Sequence, residues 1–114
     1  MIRRGQIYWI NLDPTIGTVI QKTRPCVIVS NDVANRYSTL VTVVPVSSNV
    51  SKPYPFEVLL NAGDGGLKKQ SLAKINQMKA VDIRRLSSEP LGTVLSPQKL
   101  QAIDRAIRIH LGLQ

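Results

Sequence analysis

Only one stretch of this chain has the spacing of an amphipathic helix, and it comes last. Ser96-Pro97 offers a capping hydroxyl and a first-turn proline. Leu100, Ile103, Ile107 and Leu111 then fall on one face, and Gly112 stands where a helix ends. Everything before it is a series of short apolar runs separated by Pro, Gly, Asn and Asp. Gln6–Leu12 (QIYWINL) is rich in aromatic and β-branched residues and predicts a first strand closed by Asp13-Pro14. A loop over Thr15–Thr23 leads to a second strand, Pro25–Ser30. Asn31–Ser38 is expected as a polar turn before a third strand, Leu40–Ser47. Pro25 and Pro45 mark strand starts, edges or bulges, because proline cannot donate to a ladder. Phe56–Leu60 predicts a fourth strand, followed by a tight NAGDGG turn. The alternation in Ser71–Lys79 predicts a half-exposed strand, and Leu91–Leu95 a short last one. Five or six short strands and one C-terminal helix in 114 residues imply a single domain of mainly β, α+β class, a small SH3-like barrel or a relative of one.

No stretch approaches the roughly 18 apolar residues of a membrane span. The N-terminus runs into a strand and not a signal-type apolar core, so a cytoplasmic protein is expected. One cysteine, Cys26, forms no internal disulfide, and with one histidine, His110, it cannot supply a usual zinc site. The carboxylates are scattered without ligand spacing, so neither a metal nor another cofactor is expected. Fifteen Lys and Arg against seven Asp and Glu give a net charge of +8, the footprint of a partner rich in phosphates or carboxylates.

Few side chains remain for chemistry. Cys26, between Pro25 and Val27, has the simplest role as a small core residue. Trp9 is expected in the core or at an interface, and His110 beside a helix C-terminus. Arg24 differs, because Pro25 holds its backbone extended and aims a fork of five donors from the beginning of a strand. Ser47 and Ser48 end the third strand, where their hydroxyls could meet the same phosphate if strands two and three are neighbours. Asn35, Arg36, Lys52 and Gln77 could hold a nucleic-acid backbone or read a base edge, or could simply be solvated surface.

RRGQIYWINLDPTIG, KTRPCVIVSNDVANRYS, VVPVSS, YPFEVLL and NQMKAVDIRRL, in this order over nearly the whole chain, resemble the MazF/PemK family of toxin endoribonucleases. The resemblance implies an SH3-like barrel with a C-terminal helix, a homodimer, and metal-independent cleavage of single-stranded RNA at short motifs. It also implies a cognate antitoxin of MazE type whose acidic tail occupies the RNA groove. The family's catalytic arginine falls on Arg24 and its strand-end threonine on Ser47, where the hydroxyl is kept. Thr15, Lys22, Asn35, Arg36, Ser48, Lys52 and Gln77 become RNA-binding candidates. Many relatives carry an acid where this chain has Val19, which implies a slower enzyme or a different base. The rival readings are a non-catalytic or attenuated RNA-binding module, and a gyrase poison resembling CcdB. The latter depends on a tryptophan near the C-terminus, where this chain has none.

Overall fold

The computed structural model describes residues 1–12 and 22–114. Its elements run β1 (Ile7–Asn11), β2 (Thr23–Ile28), α1 (Asp32–Tyr37), β3 (Leu40–Ser47), β4 (Glu57–Leu60), β5 (Ser71–Lys74), β6 (Lys79–Asp82) and α2 (Pro97–Leu111). Every strand pair is antiparallel, and the order β1-β2-β3-β5-β4, with β6 also on β3, makes β3 the hub. This is the expected mainly β, α+β fold with a C-terminal helix. Thr15 and Val19 lie outside the described residues.

The single strand expected over Ser71–Lys79 is two strands. Along one edge of β3, Val46 pairs with Ala73 and Val43 with Lys79, so β3 advances three residues while its partner advances six. The surplus is looped out as a 3₁₀ turn, Ile75–Gln77. A strand cannot absorb three extra residues without bending, so β5 leaves the first sheet and joins β4 in a second. Ser71, Leu72 and Ala73 are all buried, and the half-exposed alternation is not found there.

Burial explains why the runs CVIV and TVVPV are continuous instead of alternating. Val27, Val44 and Val46 face a cluster shared with Leu60, Ala73 and Ile103. Cys26, Ile28, Val41 and Val43 face a second cluster with Tyr8 and Ile10. A sheet covered on both faces selects apolar residues at successive positions.

Three further expectations are corrected. Asn31–Ser38 is not a turn but the helix α1, capped by Asn31, whose side chain accepts from the Ala34 N–H. Leu91–Leu95 forms no strand; Leu91 and Leu95 donate single hydrogen bonds to the Ile7 and Gly5 carbonyls. The helix α2 begins and ends as expected, with Ser96 as its cap, but Leu111 is exposed. Ile103 and Ala106 carry the buried face.

Candidate nucleic-acid interface

The register of β2 on β3 decides which strand-end residues approach one another. The two strands pair from Ile28↔Val43 to Cys26↔Pro45, and continuing that register by two residues would set Arg24 across from Ser47. Pairing stops at Cys26↔Pro45, so both residues stand at the open end of the ladder. By strand alternation Arg24 and Ser47 share one face, while Pro25, Val46 and Ser48 share the other. A cleft of about 650 Å³ opens on that second face, lined by Trp9, Pro25 and Ser48, with Arg24 also contributing to its wall.

Arg24 is exposed, and among the described residues its guanidinium makes no hydrogen bond or ion pair. β2 starts two residues before the expected Pro25, so the arginine belongs to the strand itself, paired with Ile10 of β1. Its backbone is therefore fixed while its charge stays available. Two residues upstream, Lys22 adopts a left-handed φ of 66°, uncommon for a residue with a Cβ, and its carbonyl accepts from the Leu12 N–H at 2.9 Å. Ser47 is half-buried, and its Oγ accepts from the Asn49 N–H at 3.2 Å. Its hydroxyl proton remains available for donation to a ligand.

The other candidates separate. Ser48 joins Arg24 in the cleft, whereas Lys52, exposed on the connection between β3 and β4, and Gln77, half-buried in the 3₁₀ turn, are not among the lining groups. Asn35 is turned inward: it is 6% exposed, and its amide donates to the Ser30 carbonyl at 2.9 Å and accepts from the Ser30 hydroxyl. A side chain committed in this way holds α1 to the sheet and is not presented to RNA. Arg36, exposed in the last turn of α1, sits beyond the Leu40 end of β3. Ser47 is at the other end, and an eight-residue strand is on the order of 25 Å long.

Trp9 was expected in the core or at an interface, and it is not in the core. Its strand neighbours Ile7, Tyr8 and Ile10 are buried, yet the indole is 47% exposed and lines the cleft. Lys68 and Lys69, which sequence reasoning passed over, also line it. They follow the glycine-rich turn, where Asp64 accepts from the Asn61 N–H and the Gly63 N–H donates to the Leu67 carbonyl. Adjacent lysines directly after a tight turn were the available signal. Residues 87–91 form the facing wall, held to β1 by Ser87 N–H to Trp9 O (2.8 Å) and Leu91 N–H to Ile7 O (2.7 Å).

Titration behaviour separates core from surface. Burial pushes the Cys26 thiol up to about 12, with Lys79 opposing it only in part, so Cys26 is the inert core residue expected. Burial raises the Glu57 carboxyl, but hydrogen bonds from Lys74 and the Tyr54 N–H outweigh it and hold the group below its ordinary value. His110 is exposed, its ring 6.2 Å from that of Phe56, outside the cleft. Among the described residues, no three His, Cys, Asp or Glu side chains gather where they could hold a metal ion.

The family model described as "PemK-like, MazF-like toxin of type II toxin-antitoxin system" matches residues 3–111. The chain belongs to this family. It is 42% identical to Endoribonuclease MazF9 of Mycobacterium tuberculosis, over 99% of this chain and 98% of that one. Its fold is similar to the crystal structure of MazF from Deinococcus radiodurans, with a TM-score of 0.82 at 26% identity over 98% of this chain and 97% of that one. It is also similar to a MazE-MazF structure from the same organism, with a TM-score of 0.77 at 26% identity over 99% and 98% of the two chains. Membership of the PemK-like, MazF-like family does not favour the gyrase-poison reading or that of a non-catalytic module.

Proposed function

We infer that this chain is the toxin of a type II toxin–antitoxin pair and acts as an endoribonuclease on single-stranded RNA without a metal. The observation that carries the inference is Arg24: a fixed strand position, an uncommitted guanidinium, and a basic cleft beside it, in a chain of the PemK-like, MazF-like family.

The reaction is attack of a ribose 2′-oxygen on the adjacent phosphorus. The O2′–P bond forms, the P–O5′ bond breaks, the 2′-hydroxyl proton passes to a base, and a proton reaches O5′ as it leaves. Charge builds on the phosphoryl oxygens, and the Arg24 fork matches them with paired donors. A guanidinium is a poor base, so Arg24 serves as clamp and as the donor to O5′ as it leaves. Ser47, across the open end of the β2–β3 ladder, donates a hydrogen bond to the same phosphate. Ser48, Lys22 and Lys52 are proposed as supporting phosphate contacts and Gln77 as a base-edge reader, with Thr15 in the first loop. The acid of many relatives is Val19 here, so another group takes the 2′ proton.

The partners that fit this reading are a second copy of the chain and an acidic antitoxin of MazE type, whose carboxylates would compete with RNA phosphates for the same cations. No helix among the described residues is long and apolar enough to cross a membrane, and a cytoplasmic site of action is proposed. The deciding experiment incubates purified protein with a long single-stranded RNA in EDTA. Wild type cuts, Arg24→Ala loses most turnover while binding weakens modestly, and a deoxyribose at the cut position abolishes cleavage but not binding. Undiminished turnover by Arg24→Ala would remove the arginine from the mechanism. Light scattering at micromolar concentration checks the dimer.

A further inference from the structure

Trp9 is the chain's only tryptophan and sits on a strand whose other large apolar side chains are buried, yet nearly half of its indole meets solvent. Exposed aromatic surface on a rigid element calls for a reason, because an indole buries more favourably than almost any other side chain. The backbone beneath it is fixed on both sides. Trp9 is in register with Pro25 of β2, and its carbonyl accepts the Ser87 N–H at 2.8 Å. The indole therefore stands on a platform that need not be ordered when a ligand arrives.

Its surroundings in the cleft are serine hydroxyls, one carboxylate, Glu89, outnumbered by three cations, and two groups that bear on a ligand directly. Pro25 and Pro90 supply apolar walls without backbone donors, and Arg24, Lys68 and Lys69 supply positive charge. A flat apolar slot with cations around it suits a nucleotide in which the base leaves its stack while its phosphates remain charged. Aromatic side chains in single-strand binding sites take bases in this manner, and because every base has a π-face such contacts tolerate sequence variation.

We propose that Trp9 is the stacking platform for one splayed nucleobase of the RNA, beside the phosphate held at Arg24, with Lys68 and Lys69 binding the phosphate that flanks this base. The proposal rests on the endoribonuclease reading and adds to it a positioning residue and a subsite.

Because Trp9 is the sole indole, tryptophan emission of the full-length protein reports on this site alone. The probe is a random-sequence 2′-O-methyl RNA dodecamer pool, which lacks the attacking hydroxyl and cannot be cut. Binding is followed in parallel by anisotropy of an end-labelled copy. Saturable quenching that tracks anisotropy is expected. A Lys68→Ala, Lys69→Ala double variant should make the dependence of log affinity on log salt shallower by about 0.7, the share of one phosphate contact on a single strand. On RNA that wild type cuts, Trp9→Ala should raise KM roughly 10- to 100-fold with kcat little changed, and Trp9→Phe should recover most of the loss. Circular dichroism confirms that both variants are folded.

Binding without quenching, or Trp9→Ala with an unchanged KM, overturns the stacking role and leaves the endoribonuclease reading intact if the wild type still cleaves. Quenching without any cleavage in EDTA removes that reading and leaves the platform standing. Absence of binding by anisotropy removes both.

Discussion

Gly66 offers the most direct test of how the cleft is built. Its φ is +89°, and a Cβ placed on it would lie 2.4 Å from the carbonyl carbon and oxygen of Leu91 and 2.7 Å from the nitrogen of Gly92. Those atoms are backbone, and Leu91 is tied to Ile7 by its N–H, so no side-chain rotation relieves the clash. Two costs therefore combine at Gly66→Ala, and the turn allows them to be separated. Gly63 has a φ of +96° with nothing within 4 Å of an added Cβ, so Gly63→Ala carries the conformational cost alone. Gly92 has no positive φ, but its Cβ would approach Gly66 Cα at 2.8 Å, so Gly92→Ala carries the close contact alone.

An unfavourable φ costs about 1–3 kcal/mol, less ~0.4–1 kcal/mol returned through a stiffer unfolded chain, leaving Gly63→Ala destabilised by about 1–2 kcal/mol. Overpacking adds about 1–3 kcal/mol, which puts Gly66→Ala at about 2–5 kcal/mol. Urea denaturation with an m-value of ~1.5 kcal/mol/M turns these into midpoint losses of about 1 M for Gly63→Ala and about 1.3–3.3 M for Gly66→Ala. Gly92→Ala falls between wild type and Gly66→Ala. A Gly66→Ala midpoint no lower than that of Gly63→Ala would refute the claim that the Leu91–Gly92 backbone is pressed against this turn.

Three further outcomes can be checked. Cys26, fully buried with its thiol pushed up to about 12, should resist an aromatic disulfide reagent at pH 8 in the native state and react within seconds in denaturant; rapid native labelling would contradict its core position. Glu57→Gln leaves the partly buried Lys74 ammonium without its carboxylate and should cost about 1–3 kcal/mol at pH 7. Since the folded Glu57 carboxyl lies below its ordinary 4.5, its contribution is complete above that pH and is lost as pH falls through the depressed value. Wild type and variant should then converge in acid, and a gap independent of pH would count against the ion pair. Val19→Glu, which restores the acid found in many relatives, should raise the RNA cleavage rate at matched concentration. Equal rates would show that the lack of an acid at this loop position does not slow the reaction.

Much of this protein was legible in one dimension. Ser96-Pro97 and Gly112 bound α2 because capping is a local event, decided by a side chain and the three or four backbone groups next to it. Leu40–Ser47 is a strand in full because a β-branched run favours extended backbone wherever it packs. Arg24 was singled out by Pro25, and Cys26 by its apolar neighbours, for equally local reasons.

What distance decides, the chain could not show. The three residues looped out at Ile75–Gln77 are surplus only relative to β3, nearly thirty residues earlier, so alternation within Ser71–Lys79 gave no sign of the break. Asn35 looked like a surface amide until Ser30 took up its hydrogen bonds, and Leu111 looked like core until α2 buried only the part of its face around Ile103. The cleft is the clearest case. Trp9, Arg24, Ser48 and the Lys68–Lys69 pair come from four separate segments, and each taken alone has an ordinary structural role. They become one basic, aromatic surface only because β1, β2 and β3 lie side by side and the Gly66 turn closes against Gly92. The charge and rigid mounting of Arg24 are local and readable from Arg24-Pro25 alone; folding supplied its surroundings, because burial and proximity are properties of the packed chain.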